Sequence, residues 1–420
     1  MIDLKLLRTD PEKVRDAYSL RGFEGDLGSV LTKEEEHRRL LGRVEGLRAE
    51  QNAATQKVAA TQDEERKRAI EASKEISEGV KELEQQLRTV KGELDELALA
   101  LPNLVHPDAP PGQGDESNRV VKEVGTPRDL GFTPLDHLAL GEGLGVIDVQ
   151  RAAKVSGARF AFLKQEAALL EMAFVSFAWS RLAQDNFVPV VPPVLVREEA
   201  MTGTGFFPTD EAEVYKTSLD DLYLVGTSEV PIASMHSGEV LDPTLLPARY
   251  AGFSSCFRRE AGSYGKDTRG IIRLHQFDKV EMFSFCKAAD SESEHALLVS
   301  IEEELFGHLE IPYRVVEICA GDLAAPNYRK FDIEAWIPGS QRWLEITSCS
   351  NDIDYQARRL SIRTKGERGN ELVHTLNGTA LAVGRTLVAL LENHQNADGS
   401  VTIPDALRPF AGFDEIKRPA

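Results

Sequence analysis

Apolar residues recur every three or four positions through most of the first hundred residues. The repeat is weak in the first half of this region and regular in the second. Its positions are Leu40, Val44, Leu47, Ala54 and Val58, followed by Val80, Leu83, Leu87, Val90, Leu94, Leu97 and Leu101. This spacing is the seam of a coiled coil. Because a short polar stretch at 59–63 separates the halves, the pattern predicts an antiparallel helical hairpin with its tip near 57–66. Helices of roughly thirty-five residues, at ~1.5 Å per residue, make an arm about 50 Å long.

The pattern changes after a Pro- and Gly-rich segment at 102–118. Buried helices are predicted at 164–185 and at about 379–393. Strands are predicted at 221–225, 251–257, 276–285, 313–319, 330–337 and 343–350. Few helices separate these strands, which favours an antiparallel sheet. Pro192 and Pro193 limit the segment 189–196 to an edge or interface strand. The expectation is an α+β protein with two domains, 1–105 and 106–420.

Composition narrows the class of protein. The formal net charge is −19 and the pI is near 5.0, which argues against a general nucleic-acid coat and against a binder of anionic membranes. The four cysteines are scattered without a CxxC pair, so neither a zinc site nor a disulfide framework is indicated. The first residues have no signal-peptide pattern, and no long apolar run follows. We therefore expect a protein of the reducing cytosol.

One stretch stands out as basic against this acidic background. It spans 257–285 and reads FRREAGSYGKDTRGIIRLHQFDKVEMFSF. Its cations are Arg258, Arg259, Lys266, Arg269 and Arg273. Glycines interrupt the run and apolar segments flank it, which is typical of two strands joined by a long loop. The planar guanidinium group of arginine can donate two parallel hydrogen bonds to phosphate oxygens. A solvated basic hairpin would have the same composition, but its place in an acidic protein favours an anionic ligand, with phosphate the leading candidate.

Other clusters carry groups that could complete such a site. Glu260 could accept a hydrogen bond from an adenine amine beside a stacking ring at Phe277. Glu345 and Ser348 would bring two hard oxygen ligands to a strand end, which suits magnesium held mainly by phosphates. Read alone, Phe277 fits a core position and Glu345 fits a simple partner for an arginine.

Two more clusters lie near glycines or short polar runs. The segment NGT at 377–379 leads into a helix that carries Gly384 and Arg385, and Arg385 could reach back over a nucleotide or be a surface cation. Thr227 and Glu229, with Glu281, offer a hydroxyl and two carboxylates for a small substrate with an ammonium group. P-loop, Rossmann, zincin and α/β-hydrolase motifs are absent.

Taken together, these motifs make the whole chain resemble the bacterial-type seryl-tRNA synthetases. PVVPP resembles the first class II synthetase motif, FRREAGSYGKDTRG the second and NGTALAVGR the third. The helical arm, TSE, HQFDKVEMF and EITSCSN point specifically to serine. The resemblance implies an antiparallel-sheet class II catalytic domain with an N-terminal antiparallel coiled-coil arm that binds tRNA. It also implies a homodimer in the cytoplasm, with no membrane contact.

The resemblance implies a role for each residue. Arg258 would hold the α-phosphate and the serine carboxylate, and Arg385 the γ-phosphate, as the catalytic pair. The ATP site would comprise Arg258, Arg259, Glu260, Arg273, Phe277, Glu345, Ile346, Thr347, Ser348 and Arg385, with Mg²⁺ on Glu345 and Ser348 and no zinc. The serine pocket would comprise Thr227, Ser228, Glu229, Arg258, Glu281, Asn377 and Thr379. The loop 261–272 would switch between ATP and the tRNA acceptor end.

The implied reaction has two steps. The serine carboxylate attacks the α-phosphorus of ATP, and the terminal ribose hydroxyl of tRNA(Ser), or of tRNA(Sec) where one exists, then attacks the acyl carbon. Neither step needs a protein nucleophile, because alignment and charge neutralisation do most of the work. Two alternatives stand beside it: a ligase that loads a carrier protein, and a non-enzymatic tRNA-binding paralogue. The long arm argues against the first, and the presence of Arg258, Glu260, Glu345 and Arg385 against the second.

Overall fold

The computed structural model describes residues 1–261 and 269–419. The chain divides into two compact units. One comprises Met1–Asp16 and Phe23–Pro102, and the other comprises Ala17–Gly22 and Asn103–Ala420.

The N-terminal part is helical, as its apolar periodicity predicts. Its helices are α1 (Leu4–Thr9), α2 (Pro11–Arg21), α3 (Leu27–Ala60) and α4 (Asp63–Leu99). Helices α3 and α4 contain 34 and 37 residues and pair as a hairpin across a two-residue turn. The predicted antiparallel arm is confirmed.

Packing along the arm is uneven. Leu40, Val44, Leu83 and Val90 are buried in the seam, whereas Ala54 and Val58 towards the tip are only half-buried. Two ion pairs cross between the helices, Lys33–Glu93 at 2.7 Å and Arg48–Glu84 at 2.6 Å. The half of the hairpin away from the tip is therefore a packed coiled coil, and its tip is polar.

The second unit is built on strands. They are β1 (Arg119–Val124), β2 (Ile147–Asp148), β3 (Phe162–Leu163), β4 (Val188–Val190), β5 (Leu195–Val196), β6 (Tyr215–Lys216), β7 (Tyr223–Leu224), β8 (Val240–Leu241), β9 (Ala248–Phe257), β10 (Gln276–Cys286), β11 (Tyr313–Glu317), β12 (Arg329–Ile337), β13 (Arg342–Ile353), β14 (Arg363–Gly366), β15 (Gly369–Leu372), β16 (His374–Ala382), β17 (Val401–Thr402) and β18 (Glu415–Ile416).

Eight of these strands form the main sheet, in the order β1-β11-β12-β13-β16-β10-β9-β4. Every neighbouring pair is antiparallel except β4 and β9. The predicted antiparallel sheet is confirmed. The segment predicted as one strand at 189–196 forms two short strands, β4 at the edge of this sheet and β5 in a separate three-stranded sheet, with Pro192 and Pro193 between them.

Helices cover the sheet and enclose the core. They are α5 (His137–Leu144), α6 (Val149–Ser156), α7 (Glu166–Leu182), α8 (Glu198–Thr204), α9 (Glu229–Ser234), α10 (Ser291–His308), α11 (Tyr355–Leu360), α12 (Val383–Asn393) and α13 (Arg408–Ala411). Helices α7, α10 and α12 pack against the main sheet through large apolar side chains such as Phe174, Phe306 and Leu387. None of the helices in the described ranges has the length and hydropathy that a membrane crossing requires.

The predicted helix at about 379–393 starts too early. Thr379 to Ala382 continue strand β16, and α12 begins at Val383. The segment pairs with β10, with Ala380 as the extra residue between the Thr379–Glu281 and Leu381–Val280 pairs. A short apolar run cannot be assigned to helix or strand by periodicity alone, so pairing in the sheet decided it.

Candidate active site

Part of one face of the main sheet carries charged and polar side chains, and an apolar cluster that includes Phe283 and Phe285 adjoins them. At its centre is a cleft of about 620 Å³ including its open mouth. Its walls are Arg258, Glu260, Ile271, Ile272, Arg273, Leu274, Phe277, Lys279, Glu345, Ile346, Thr347, Ser348, Thr379, Ala382, Gly384 and Arg385. The structure thus brings together most of the residues that the sequence assigned to ATP, although they come from three separate segments between Arg258 and Arg385.

A bulge in strand β13 sets the direction of two of these side chains. Thr347 pairs with Ile333 and Glu345 with Glu334, so Ile346 is an extra residue between them. In a regular strand, residues three apart point to opposite faces. The extra residue shifts the alternation of side chains by one position, so Glu345 and Ser348 point to the same face and both line the cleft. The two predicted magnesium ligands therefore share a face because of a feature that spacing alone did not show.

Glu345 and Arg385 form an ion pair across the cleft. Arg385 Nη1 donates to Glu345 Oε1 at 3.0 Å and to its carbonyl oxygen at 2.9 Å. Desolvation by the surrounding protein acts to raise the pKa of Glu345, but Arg385, Lys330 and Arg258 outweigh it and lower the pKa to about 2. The side chain is still 45% exposed, because it faces the open cleft. Glu345 is thus ionised and available to a cation at neutral pH.

Arg258 lies at the junction of β9 with the loop that follows it. Its Nε donates to the carbonyl oxygen of Gly226 at 3.3 Å, and its guanidinium carbon lies 5.3 Å from the centroid of the Phe277 ring. Arg273 pairs with the carboxylate of Glu260, a residue held at φ 53°. A positive φ is uncommon outside glycine, so the chain bends sharply at Glu260 and directs it towards Arg273.

Strand β10 supplies a second, buried set of charges. Phe277, Lys279 and Glu281 alternate along it and therefore share a face. Lys279 forms an ion pair with Glu281 and donates to Thr379 Oγ1 at 3.3 Å, while Thr379 Oγ1 donates to Glu281 Oε2 at 3.2 Å. Lys279 is absent from the sequence-based site. The strand alternation from Phe277 to Glu281 could have revealed it.

Next to this set, helix α9 begins with Glu229. Its Oε1 accepts from Gln356 Nε2 at 2.7 Å and from Asn377 Nδ2 at 3.3 Å. Burial, followed by the negative charges of Asp352 and Glu281, raises the pKa of Glu229 to about 8. Sequence reasoning missed Gln356 and Asp352, which carry no recognisable motif.

The raised pKa of Glu229 makes a prediction about stability. The folded pKa is above the unfolded one, so Glu229 destabilises the fold increasingly as pH rises from about 5 to about 8. We expect Glu229→Gln to raise the free energy of unfolding by about 2 kcal/mol near pH 8 and by much less near pH 5. Urea unfolding at both pH values measures this. The exposed Glu367→Gln is the control, and an equal gain at both pH values would contradict the cause given.

Not every predicted site residue reaches the cleft. Arg259 is exposed, and only its backbone N–H is engaged, with the carbonyl oxygen of Glu213 at 2.8 Å. Ser228 is buried and turned towards Gly252 on β9. Thr227 is buried, and its Oγ1 accepts from the N–H of Glu229 at 3.3 Å. Residues 262–268 of the predicted switching loop 261–272 lie outside the described residues.

Comparisons with known proteins cover the whole chain. Residues 1–105 match the seryl-tRNA synthetase N-terminal domain, and residues 213–394 match the tRNA synthetase class II core domain (G, H, P, S and T). The serine–tRNA ligase of Acidothermus cellulolyticus is 50% identical over 99% of both chains. The seryl-tRNA synthetase of Pyrococcus horikoshii complexed with ATP superposes with a TM-score of 0.91 at 39% identity, covering all of both chains. The cytoplasmic serine–tRNA ligase of Naegleria fowleri with AMP gives 0.88 at 31% identity, covering 100% of this chain and 99% of that one.

Proposed function

The chain belongs to the seryl-tRNA synthetase family, and from this membership we propose which of its residues carry each part of the reaction. The reaction itself is the ligation of L-serine to tRNA through seryl-adenylate, with ATP as a substrate. The observation that carries the assignment of residues is that the arginine-lined cleft adjoins a cluster of buried acidic and amide side chains, linked to it through Lys279 and Thr379.

The ATP end of the site is the open cleft. Arg258, Arg385 and Phe277 all line it, so the cleft offers two positive charges and an aromatic ring. Arg273 holds Glu260, whose carboxylate is suited to an exocyclic amine. In the free protein the guanidinium of Arg258 already lies over the Phe277 ring, so adenine must either displace it or stack on the other face.

The donor set around Glu345 fits Mg²⁺. Glu345 and Ser348 present hard oxygens on one face, and a buried oxygen of Asp332, the cross-strand neighbour of Ser348, has no hydrogen-bond partner in the described part of the chain. Within that part, no group of three His, Cys, Asp or Glu residues forms a metal cage. A magnesium ion that keeps waters and phosphate oxygens needs only one or two protein ligands. When bound, it would neutralise charge on the phosphates.

The serine end is the buried pocket beyond the cleft. Glu281 and Thr379 are suited to the substrate hydroxyl, and Glu229 and Asn377 to its ammonium group. Arg258, at the boundary between pocket and cleft, is suited to both the serine carboxylate and the α-phosphate. The nucleophile is a substrate carboxylate that is already ionised, so the protein aligns the reactants and stabilises charge at phosphorus.

Several properties of the chain beyond the cleft are also proposals. We assign residues 1–105 to a tRNA-binding arm and 106–420 to catalysis. A homodimer is supported by exposed apolar side chains on edge strand β4, the segment after it and α7, namely Val188, Val191, Leu195, Leu169 and Met172. A cytoplasmic location is supported by four cysteines that are all unpaired and buried.

ATP–pyrophosphate exchange with each amino acid in turn, followed by charging of total tRNA, tests the assignment as a whole. Serine should support exchange far better than any other amino acid, and charging should require tRNA(Ser). If the protein catalyses exchange but does not charge tRNA, the alternative of a ligase that loads a carrier protein is favoured. If the protein shows neither activity, the alternative of a non-enzymatic tRNA-binding paralogue is favoured.

Glu281 should decide the choice of serine. A site built to bond a hydroxyl rejects an analogue without it more strongly than one with an extra methyl group, so alanine should be a poorer substrate than threonine. We expect Glu281→Gln, which keeps the shape of the pocket and leaves no empty space beside Lys279, to lower kcat/KM for serine by about 10- to 100-fold with an unchanged KM for ATP.

Exchange kinetics with serine, threonine and alanine check this expectation. The control is Glu317→Gln, which also neutralises a buried, ion-paired glutamate but lies outside the cleft. If Glu281→Gln separates serine from alanine as well as the parent does, the hydroxyl is recognised by another group.

A further inference from the structure

Asp352 has an unusual position at the end of strand β13. It is fully buried and is the extra residue of a second bulge, because Asn351 pairs with Leu376 while Ile353 pairs with Thr375. The next residue, Ile353, has φ 45°, in the left-handed region that a β-branched side chain rarely adopts. Strain of this kind persists only where the surrounding structure holds it, often at functional sites. The backbone is therefore bent at the point where it directs a carboxylate into the protein interior.

The carboxylate of Asp352 binds two side-chain amides. Its Oδ1 accepts from Asn327 Nδ2 at 2.8 Å, and its Oδ2 accepts from Asn377 Nδ2 at 3.2 Å. The same Asn377 Nδ2 also donates to Glu229 Oε1 at 3.3 Å. Both N–H groups of Asn377 are thus directed at carboxylates.

This arrangement determines the orientation of the Asn377 amide. If the amide were turned over, its oxygen would face two carboxylates, and acceptors would oppose acceptors. Its Oδ1 must therefore point away from Asp352 and Glu229. Within the described part of the chain, Oδ1 accepts no hydrogen bond. The Asn377 Oδ1 atom is therefore available to accept a hydrogen bond from a ligand.

The charge balance points to the same kind of donor. Among the described residues, the side-chain hydrogen bonds to the carboxylates of Glu229 and Asp352 come from the amides of Gln356, Asn377 and Asn327. Lys279 near Glu229 and Arg21 near Asp352 act to lower the pKa of these acids without donating a hydrogen bond to them, so a positively charged ligand would add the direct charged partner that a buried carboxylate normally has. An ammonium group supplies both the donors and the charge.

We propose that Asp352 is a positioning residue for serine: with Glu229 it fixes the amide of Asn377 so that the amide oxygen accepts from the substrate ammonium group. The inference rests on the proposed function, since it concerns the serine pocket. Asp352 itself lies behind Asn377 and acts through it.

The test is Asp352→Asn in the full-length chain. An asparagine there has the same size, but it can accept through only one atom, so Asn327 and Asn377 compete for that acceptor and the orientation of the Asn377 amide is weakened. The KM for serine in pyrophosphate exchange should rise by about tenfold, while kcat and the KM for ATP stay within about twofold of the parent. Asn327→Ala, which releases the other oxygen of Asp352, should raise the serine KM in the same direction by a smaller factor.

The control is Glu294→Gln, which neutralises another buried carboxylate, one that binds Arg249 and Ser284 outside the pocket, and should leave the serine KM unchanged. A parental serine KM for Asp352→Asn, or equal rises in the KM for serine and ATP, would overturn the proposal. If thermal unfolding shows that Asp352→Asn does not fold, an unchanged serine KM for Asn327→Ala overturns it. A parent that fails to activate serine at all refutes the proposed function instead.

Discussion

Replacing Arg258 by alanine is expected to slow serine-dependent pyrophosphate exchange by about 10²- to 10³-fold. Arg258 lies between the phosphate cleft and the serine pocket in our assignment, with its guanidinium in contact with Gly226 and Phe277. Its charge would act on the reacting phosphate, where negative charge builds up in the transition state. The loss should therefore fall mainly on kcat and less on the KM for ATP.

Arg314→Ala is the matched control for this measurement. Like Arg258, Arg314 lies over an aromatic ring, with its guanidinium carbon 5.2 Å from the centroid of Trp343; it pairs with Glu334 and does not line the cleft. Its removal should leave exchange near the parental rate. Near-parental exchange by Arg258→Ala would mean that the basic hairpin is a solvated surface, as its composition alone allows.

Shortening the helical arm is expected to separate the two steps of the reaction. The exposed cations at its tip, Lys57, Arg66, Lys67 and Arg68, are suited to RNA phosphates, although neighbouring acids dilute their charge. Recognition there should depend on RNA shape and backbone more than on base edges. Without the tip, charging at ordinary tRNA concentrations should fall by about 100-fold or more, since several phosphate contacts are lost together. Serine-dependent exchange needs no tRNA and should be unchanged.

The packing of the hairpin shows where to cut. A Cβ built on Gly79 would lie 3.2 Å from a methyl carbon of Leu47, so these positions face each other across the two helices. Residues 48–78 can then be replaced by a short turn while the packed seam of Leu40, Val44, Leu83 and Val90 is kept. Exchange and charging are measured on one preparation. Undiminished charging would make the arm structural, and loss of both activities would mean that the arm holds the catalytic unit together.

Local signals in the chain were enough to predict the elements and the composition of the site. The heptad seam through Val80 to Leu101 requires only neighbours one helical turn apart, so it is readable from spacing. The prolines of the edge segment and the glycines between Arg258 and Arg273 act on their own backbone, and they too are readable. The predicted start of helix α12 was wrong because the apolar residues after Thr379 fit the periodicity of a helix as well as that of a strand. Only the pairing of β16 with β10 shows that they belong to the strand.

Other features of the site depended on contacts between distant residues. Spacing suggested that Glu345 and Ser348 act together, but an unbroken strand would have turned them to opposite faces. The bulge at Ile346 that aligns them arises from the register against β12. The sequence did not single out Lys279, Gln356 or Asp352, because their contacts are with partners on other elements. The side chain of Arg259 is exposed and is not among those that line the cleft.

The sequence by itself determined the helical arm, the antiparallel sheet, the family and most of the chemical groups, because these follow from periodicity, local turn chemistry and motifs along the chain. The tertiary structure alone decided which face each strand presents, which buried charges are paired and which amide is held in one orientation. Those outcomes depend on strand register and on burial, and both are set by residues far away in sequence.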